Sequence, residues 1–169
     1  WTGSDKDNVT VNFEAETVRT GNDNDTVVTN DFVTTVNTSA FGSSTFTDGS
    51  VFTDKDNVTS NAGGDFIKTG NDDDVVVADG YVETISAEAF DNWIGSDKDT
   101  VTVNGGAGLV RTGVDDDTVL VGDFFTRDVE TGTGDDTVTT GLGFVRTIGT
   151  DEGNDTVTIG TGGAGFVDA

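Results

Sequence analysis

The sequence predicts an all-β protein, a parallel β-solenoid of about eight rungs of roughly 18 residues with two short strands in each rung. The first observation is a recurring Asp-x-Val step, whose valines are 18, 31, 18, 25, 18, 19 and 19 residues apart. The second is the alternation of Val with Thr or Asn at these steps, which is the period of a half-buried strand. A nearly constant period of about 18 residues, lengthened at two points, is typical of a coiled repeat architecture. The valines are Val9, Val27, Val58, Val76, Val101, Val119, Val138 and Val157.

Each rung is predicted to contain a first strand, an acidic turn, a second strand and a turn rich in Gly or Asn. In one rung the first strand is Val110-Arg111-Thr112 and the second is Thr118-Val119-Leu120-Val121. A Gly-bearing turn such as Asn104-Gly105-Gly106 then leads into the next rung. No stretch has the 3.6-residue apolar period of an amphipathic helix, so we expect almost no helix.

Two insertions lengthen the period, roughly at residues 36–52 and 85–93. Both fall between a first strand and its acidic turn, so we expect them to bulge from the same edge of a single domain spanning residues 1–169. Their aromatic residues either cap the local core or contact a neighbouring chain. These aromatics are Phe41, Phe46, Phe52, Phe90 and Trp93.

The middle residue of the Val-x-Thr strands alternates in charge along the chain. In a parallel stack these residues become neighbours about 4.8 Å apart, where opposite charges attract and like charges repel. An exposed pair is worth about 0–1 kcal/mol, so the alternation is expected to control register more than stability. The predicted ladder is Arg19, Thr34, Lys68, Glu83, Arg111, Glu130, Arg146 and Asp168.

The composition excludes several classes of function. The chain has no Pro, Cys, Met or His, so zinc, haem and iron–sulfur sites are not expected. A net charge of −24 disfavours nucleic acid and anionic membranes as partners. No segment is apolar enough for membrane insertion. Identical carboxylate pairs recur without a distinct acid, base or nucleophile motif, so we do not expect an enzyme.

The acidic turns are the candidate metal site. One Asp lies two residues before the repeating Val in every rung, and a second Asp lies two residues before the first Asp in six rungs. Stacked at strand spacing, these carboxylates would repel one another unless a hard cation such as Ca²⁺ neutralised them. The alternative is a column of Asp side chains that cap backbone N–H groups and bind no specific ion. The candidate ligands are Asp5, Asp7, Asp23, Asp25, Asp54, Asp56, Asp72, Asp74, Asp97, Asp99, Asp115, Asp117, Asp136 and Asp155.

The turn at Gly132-Thr133-Gly134-Asp135-Asp136-Thr137-Val138 fits the nonapeptide G-G-x-G-x-D-x-U-x in all but one Gly. The run Gly153-Asn154-Asp155-Thr156-Val157 fits its latter half. The sequence therefore resembles the RTX (repeats-in-toxin) calcium-binding β-roll proteins. It departs from them in replacing a turn Gly by Asp in six rungs and in carrying one motif per rung where the family usually has two.

This resemblance implies a β-roll-like solenoid with several Ca²⁺ ions stacked along one edge and an extracellular or cell-surface location. The charge agrees with it, because −24 over eight rungs is −3 per rung, and one Ca²⁺ in each would leave about −1. Low calcium inside the cell would leave such a protein unfolded before its export.

The ends of the sequence predict continuation. The last residues, 166–169, are a first strand without an acidic turn, and residues 1–7 are an acidic turn without a first strand. Joining the two completes a rung, so we expect the unit to continue with copies of itself, head to tail or in tandem. The expected partners are thus further copies of the same chain.

The sequence favours an extracellular structural protein, a calcium-stabilised solenoid that forms a fibre, surface appendage or adhesin stalk. The alternative is a solenoid that binds ice or another ordered surface through a flat Thr-x-Thr face. That face would use outward residues of the second strands, such as Thr100 and Thr102, Thr137 and Thr139, and Thr156 and Thr158. Thr and Val are also good strand formers, which weakens this alternative.

Overall fold

The computed structural model of the chain describes residues 6–21, 24–38, 55–88 and 97–169. Within these ranges the chain forms sixteen strands and no helix, so none of the described residues forms a helix that could cross a membrane. The strands alternate between two parallel sheets of eight, one built from the odd-numbered strands and one from the even-numbered strands. This arrangement confirms the predicted parallel β-solenoid. Each rung of the predicted repeat is one coil of the solenoid and contributes one strand to each sheet.

The odd-strand sheet contains β1 (Asn8–Val11), β3 (Thr26–Thr29), β5 (Asn57–Ser60), β7 (Val75–Ala78), β9 (Thr100–Val103), β11 (Thr118–Val121), β13 (Thr137–Thr140) and β15 (Thr156–Thr158). The even-strand sheet contains β2 (Ala15–Arg19), β4 (Val33–Asn37), β6 (Gly64–Lys68), β8 (Val82–Ser86), β10 (Ala107–Val114), β12 (Thr126–Thr133), β14 (Val145–Gly149) and β16 (Ala164–Asp168). Each strand pairs with the strands of the preceding and following coils.

A single column of valines runs through the odd-strand sheet. Val9 pairs with Val27, Val27 with Val58, and the register continues without a slip to Val157. The six inner members of this column are at most 1% exposed. Alternate residues point to opposite faces of a strand, so the column fills the core while the residues beside each Val face outward. All eight valines that predicted the repeat occupy this column.

The even-strand sheet places two core residues three positions apart in each strand. Val33 and Val36 do so in β4, and Val82 and Ile85 do so in β8; all four are buried. The core between the sheets is thin because it consists almost entirely of Val, Ile, Ala and small polar side chains. Each coil therefore depends on its neighbours to cover its apolar residues.

This spacing corrects the predicted charge ladder. Thr34, Glu83 and Arg146 follow the first core residue of their strands, whereas the other predicted members follow the second. In these three strands the residues in register with Arg19, Arg111 and Glu130 are Asn37, Ser86 and Gly149. The observed column is Arg19, Asn37, Lys68, Ser86, Arg111, Glu130, Gly149 and Asp168. Of the predicted alternations, Arg111 beside Glu130 is a contact between adjacent coils, with Nε 2.7 Å from Oε2.

The predicted insertions begin too early. Residues 36–38 still belong to β4 and the position after it, and residues 85–87 continue β8 in the same way. Each insertion lies between an even strand and the next odd strand, the first between β4 and β5 and the second between β8 and β9. Phe41, Phe46, Phe52, Phe90 and Trp93 lie outside the described residues.

The opposite edge carries exposed aromatic side chains in the turns that lead into the even strands. The rings of Phe125 and Phe144 stack, with centroids 6.3 Å apart and an interplanar angle of 8°. Phe13 and Phe124 are 82% and 63% exposed. Phe32, Tyr81, Phe125 and Phe144 each directly precede an even strand.

Candidate functional site at the acidic edge

The acidic edge consists of the turns that connect each even strand to the following odd strand. The last residue of each turn is the Asp that directly precedes the odd strand, and we call these residues the aspartate column. Its inner members are only 1% exposed, although they are ionisable: Asp25, Asp56, Asp74, Asp99, Asp117 and Asp136. The end members Asp7 and Asp155 are half-buried. Each column Asp lies two residues before the core valine of its odd strand, and alternate residues of an extended segment share a face, so the Asp side chains point toward the core.

The aspartate column is connected by hydrogen bonds from one coil to the next. The backbone N–H of each member donates to Oδ1 of the member one coil later, at N···O distances between 2.8 and 3.0 Å. The series runs Asp7, Asp25, Asp56, Asp74, Asp99, Asp117, Asp136, Asp155 without interruption. These distances are typical of strong N–H to carboxylate bonds. The column therefore spans the insertions, since Asp25 and Asp56 are 31 residues apart.

The second oxygen of these carboxylates lies in a different environment. Oδ2 of Asp56, Asp117 and Asp136 is buried and makes no hydrogen bond of ordinary geometry within the described part of the chain. A column of threonines lies beside it, at one equivalent position in or directly after six of the eight even strands. Its members are Thr20, Thr38, Thr69, Thr112, Thr131 and Thr150.

Burial raises the pKa of Asp56 to about 7, against an ordinary value near 3.8, while the Thr38 hydroxyl and the Asp25 backbone oppose the rise. Burial likewise raises the pKa of Asp117 to about 7, opposed by Thr112 and the Asp99 backbone. The pKa of Asp136 is raised for the same reason. Removing a carboxylate from water disfavours its charged form, so Asp56 and Asp117 are partly protonated near neutral pH.

Asp99 is the exception within the column. The position that holds Thr38 or Thr112 in other coils is Ala87 in the coil that leads to Asp99. No hydroxyl is available there, and burial together with the charges of Asp74 and Asp97 raises the pKa of Asp99 to about 11. Asp99 is therefore neutral at physiological pH, and its protonated carboxyl group separates the carboxylates on either side of it.

A second ladder runs along the outside of the same turns, through the residue before each column Asp. Here the backbone N–H of the later coil donates to the side chain of the earlier coil. Lys98 donates to Asp73 at 3.1 Å, Asp135 to Asp116 at 3.0 Å, and Asn154 to Asp135 at 2.9 Å. The two ladders therefore run in opposite directions along one edge.

Two lysines in this outer ladder offset part of the acidic charge. Lys55 pairs with Asp73, and Lys98 pairs with Asp116, in each case in the following coil. These pairs raise the pKa of both lysines, chiefly through the side-chain hydrogen bond. The same bond from Lys98 lowers the pKa of Asp116. The DKD turns thus place a cation beside the DDD turns that follow them.

The upstream row of predicted ligands is not uniform. Asp72 and Asp97 are buried, whereas Asp115 is exposed and its Oδ2 accepts the backbone N–H of Asp97 at 3.1 Å. Asp72 and Asp115 adopt positive φ angles of 71° and 65°. The equivalent of Asp115 in the next coil is Gly134, and Asp tolerates this left-handed conformation better than most residues. Asp5, Asp23 and Asp54 lie outside the described residues.

The described carboxylates do not fit a calcium site in this arrangement. No three acidic side chains in the described ranges converge on a point that could hold a metal ion. Calcium requires six to eight oxygen ligands, yet Oδ1 of the column is engaged by backbone N–H groups and Oδ2 faces buried threonines. The geometry is that of carboxylates capping backbone N–H groups, which was the alternative interpretation of the sequence. Calcium binding remains a prediction.

Charged residues on the even-strand sheet form a second cluster. Asp128 lies between Arg127 and Arg146, with Oδ2 3.1 Å from Nε of the former and 2.7 Å from Nη2 of the latter. Burial opposes ionisation of Asp128, but hydrogen bonds from Arg146, Thr147 and Arg127 outweigh it and lower its pKa. Arg127 also reaches Glu83, two coils away, at 3.4 Å. Gly108 makes this possible, because a Cβ there would lie 2.7 Å from Oε1 of Glu83.

No protein-family model, curated protein or solved structure matches this chain. The resemblance to the RTX proteins accordingly stays a prediction from the turn residues.

Proposed function

We propose that this protein is an extracellular structural protein, a solenoid segment that continues end to end into a fibre, surface appendage or adhesin stalk. The observation that carries the proposal is the unbroken aspartate ladder, which links every coil from Asp7 to Asp155. Its members make the same bond in every coil, and Asp99 differs from Asp56 and Asp117 in its higher pKa and not in this geometry. Its regularity favours a mechanical role over a local one.

The same geometry makes the solenoid a stiff rod. Each coil is held to the next by two parallel strand pairs, by the aspartate ladder and by the outer ladder. Parallel strands lie about 4.8 Å apart, so a chain of this kind adds about 4.8 Å of length per coil. Stretching it would break several hydrogen bonds at once, which suits a load-bearing spacer.

Purified chain should assemble as its concentration rises. We expect sedimentation velocity to show a growing series of multimers, and negative-stain electron microscopy to show unbranched fibres of solenoid width. A chain that stays monomeric at high concentration and at physiological salt would contradict assembly between separate copies. The net charge of −24 makes salt necessary, because it screens repulsion between copies.

Calcium is tested separately from assembly. The family resemblance and the acidic charge support a calcium requirement, whereas the hydrogen-bonded geometry of the column supports folding without it. Thermal unfolding by circular dichroism, in calcium and in excess chelator, distinguishes the two. A melting temperature that rises strongly with calcium would support the calcium requirement, and an unchanged value would remove calcium from the proposal.

Surface binding is the second candidate, and one observation favours it. The first outward column of the odd-strand sheet has four threonines in consecutive coils, Thr100, Thr118, Thr137 and Thr156. The neighbouring outward column is less regular, since Leu120 interrupts its threonines. Thermal hysteresis of a solution of the chain would support binding to ice; freezing behaviour equal to that of an inert protein of the same size would exclude it.

A further inference from the structure

We propose that the edge carrying the turns from odd to even strands binds one chain of a neutral, ribbon-shaped glycan of the cellulose type. The chain would lie along a row of three aromatic side chains, Phe32, Tyr81 and Phe125, which we call the aromatic row. Each of them directly precedes an even strand. The inference goes beyond the proposed structural role and does not depend on assembly from end to end.

The register of the even-strand sheet places the aromatic row in one column. Val33 pairs with Gly64, Gly64 with Val82, and Val82 with Ala107. The same register continues from β10 to β12. The residues directly before these strands are therefore neighbours along the edge, in the order Phe32, Gly63, Tyr81, Gly106 and Phe125.

Aromatic side chains and glycines alternate in this column, so the rings of the row are two coils apart. Adjacent parallel strands lie about 4.8 Å apart, which sets the rings at intervals of about 9.6 Å. This interval is close to the length of one disaccharide unit in an extended chain such as cellulose. Successive sugars of such a chain are rotated by half a turn, so every second sugar presents the same face. The alternation ends at Phe144, which stacks on Phe125.

Glycine keeps the intervals between the rings open. Gly63 and Gly106 are buried and have φ angles of 89° and 84°. A Cβ at Gly63 would lie 2.1 Å from the backbone oxygen of Tyr81, and a Cβ at Gly106 would lie 2.4 Å from that of Phe125. These two positions therefore exclude side chains, and a continuous ligand can pass from one ring to the next.

The aromatic row keeps much of its apolar surface in contact with water. Phe32, Tyr81 and Phe125 are 37%, 49% and 52% exposed. Covering such surface with a flat apolar partner is favourable. Sugar rings of the cellulose type supply that partner, because their C–H faces are flat and apolar while their hydroxyl groups project sideways.

Polar side chains flank the row on both sides. Toward the even-strand sheet, the Tyr81 hydroxyl donates to Oε2 of Glu83 at 2.6 Å, and Nη1 of Arg127 lies 3.4 Å from Oε1 of Glu83. Toward the odd-strand sheet, Nδ2 of Asn61 donates to Oδ1 of Asn30 at 2.7 Å. Carboxylate, guanidinium and amide groups supply the acceptors and donors that sugar hydroxyl groups need at both margins of the ring.

The charge of the chain selects the kind of glycan. A net charge of −24 disfavours acidic polysaccharides. Glu83 and Arg127 carry opposite charges beside the row, so neither sign dominates there. A neutral glycan meets no electrostatic penalty at this edge.

Isothermal titration with soluble cello-oligosaccharides tests the spacing. The three rings of the row match the first, third and fifth sugars of one ligand. Affinity should therefore rise from cellobiose to cellopentaose, because each further ring adds a contact to the same ligand. Maltopentaose has the same sugars in a coiled chain and should bind at least about tenfold more weakly. Equal affinity for the two pentasaccharides, or no binding of either, would overturn the proposal.

Substitutions test the residues of the row. Y81A/F125A should lower the affinity for cellopentaose at least about tenfold, because two of the three rings are lost. Y81L/F125L keeps apolar side chains but not flat rings, so it should lose affinity while remaining folded by circular dichroism. The matched control is F13A/F124A, which removes two aromatic side chains that are 82% and 63% exposed but lie outside the row. An equal loss of affinity in the control would contradict the assignment to the row.

The other possible occupant of the row is a second copy of the chain. If Y81L/F125L reduced the multimers seen by sedimentation velocity and no glycan bound, the row would belong to contacts between copies and the proposal would be overturned. Glycan binding by a chain that stays monomeric would support the proposal and contradict assembly from end to end. The failure of one proposal is therefore distinguishable from the failure of the other.

Discussion

The Oδ1 atom of Asp117 accepts a hydrogen bond of 2.8 Å from the backbone N–H of Asp99, which lies 18 residues earlier in the chain. Both side chains are only 1% exposed. A buried carboxylate is costly unless it is protonated or hydrogen-bonded, and here both means are used. The aspartate column therefore fixes the register of the coils, while burial suppresses the ionisation of its carboxyl groups.

Replacing the carboxylate of Asp117 by an amide should cost little, whereas truncating it should be severe. D117N keeps an oxygen that can accept the N–H of Asp99 and removes the charge that burial disfavours. D117A leaves that buried N–H without an acceptor, which costs about 1–3 kcal/mol. Chemical denaturation in chelator at pH 7.5 measures both free energies of unfolding. Equal losses in D117N and D117A would show that the charge itself is needed.

Burial and the charges of Asp74 and Asp97 raise the pKa of Asp99. Ala87 offers no hydroxyl of the kind that opposes the rise at Asp56 and Asp117, so a hydroxyl at this position should lower the pKa of Asp99. A87T should bring the pKa of Asp99 from about 11 toward the value of about 7 found for Asp56 and Asp117, which have a threonine neighbour. A87V is the matched control, because Val has the shape of Thr without its hydroxyl. Infrared absorption of the protonated carboxyl group at pH 8 should weaken in A87T alone. A pKa that is the same in both variants would contradict the role of the threonine column.

The stability of the chain should decrease as pH rises from about 4 to 8 in the absence of calcium. Asp56 and Asp117 have folded pKa values of about 7, above the ordinary value near 3.8. Folding therefore favours their protonated forms, and the stability they contribute is complete below about pH 4 and is lost as pH rises through 7. Asp99 extends this loss into the alkaline range.

Two ion pairs, Lys98 with Asp116 and Arg146 with Asp128, have the opposite effect on stability at lower pH. The pKa of Asp128 is lowered, and so is that of Asp116, so their contribution is present above pH 3.8 and is lost as pH falls below it. Maximum stability should accordingly lie on the acidic side, near pH 4–6. Thermal unfolding by circular dichroism from pH 3 to 9 in chelator measures the profile. A melting temperature that rises between pH 5 and 8 would contradict a buried, partly protonated column.

Glycines of the even-strand sheet should differ sharply in their tolerance of alanine. At Gly132, φ is 97° and a Cβ would lie 2.0 Å from the carbonyl oxygen of Gly113. G132A should therefore destabilise the chain by about 1–3 kcal/mol. G149A is the control, because a Cβ at Gly149 meets no atom within 4 Å. It should be neutral or stabilising by up to about 1 kcal/mol in the same denaturation assay; similar losses in both variants would contradict close packing between coils.

The repeat of the odd strands could be predicted from the sequence because each odd strand has one unambiguous marker. The Val lies two residues after each column Asp, at the end of an acidic turn, so its alignment is unique. The even strands lack such a marker. Val33 and Val36 both begin a Val-x-Thr run, and sequence alone does not distinguish the first core residue from the second. For this reason the sequence pattern assigns Thr34, Glu83 and Arg146 to the charge ladder, although they follow the first core residue of their strands.

The chemistry of the acidic edge could be predicted only in part. The spacing of the Asp residues showed that they stack, but repulsion between stacked carboxylates can be relieved by a cation, by protonation or by hydrogen bonds to the backbone. Which of these applies depends on burial and on the direction of each N–H group, neither of which the sequence displays. The threonine column had a visible signal in the recurring Thr of the Val-x-Thr strands. Its relation to the Asp residues needed the fold.

Electron cryo-microscopy of the assembled chain in excess chelator tests the central claim most directly. The account predicts a continuous fibre with a strand repeat of about 4.8 Å along its axis, in which a hydrogen bond from the backbone N–H of one column Asp to the carboxylate of the next connects successive coils. Copies packed side by side, or joined through like ends, would contradict it. So would a fibre in which density for a metal ion, and not a hydrogen bond, connects each column Asp to the next.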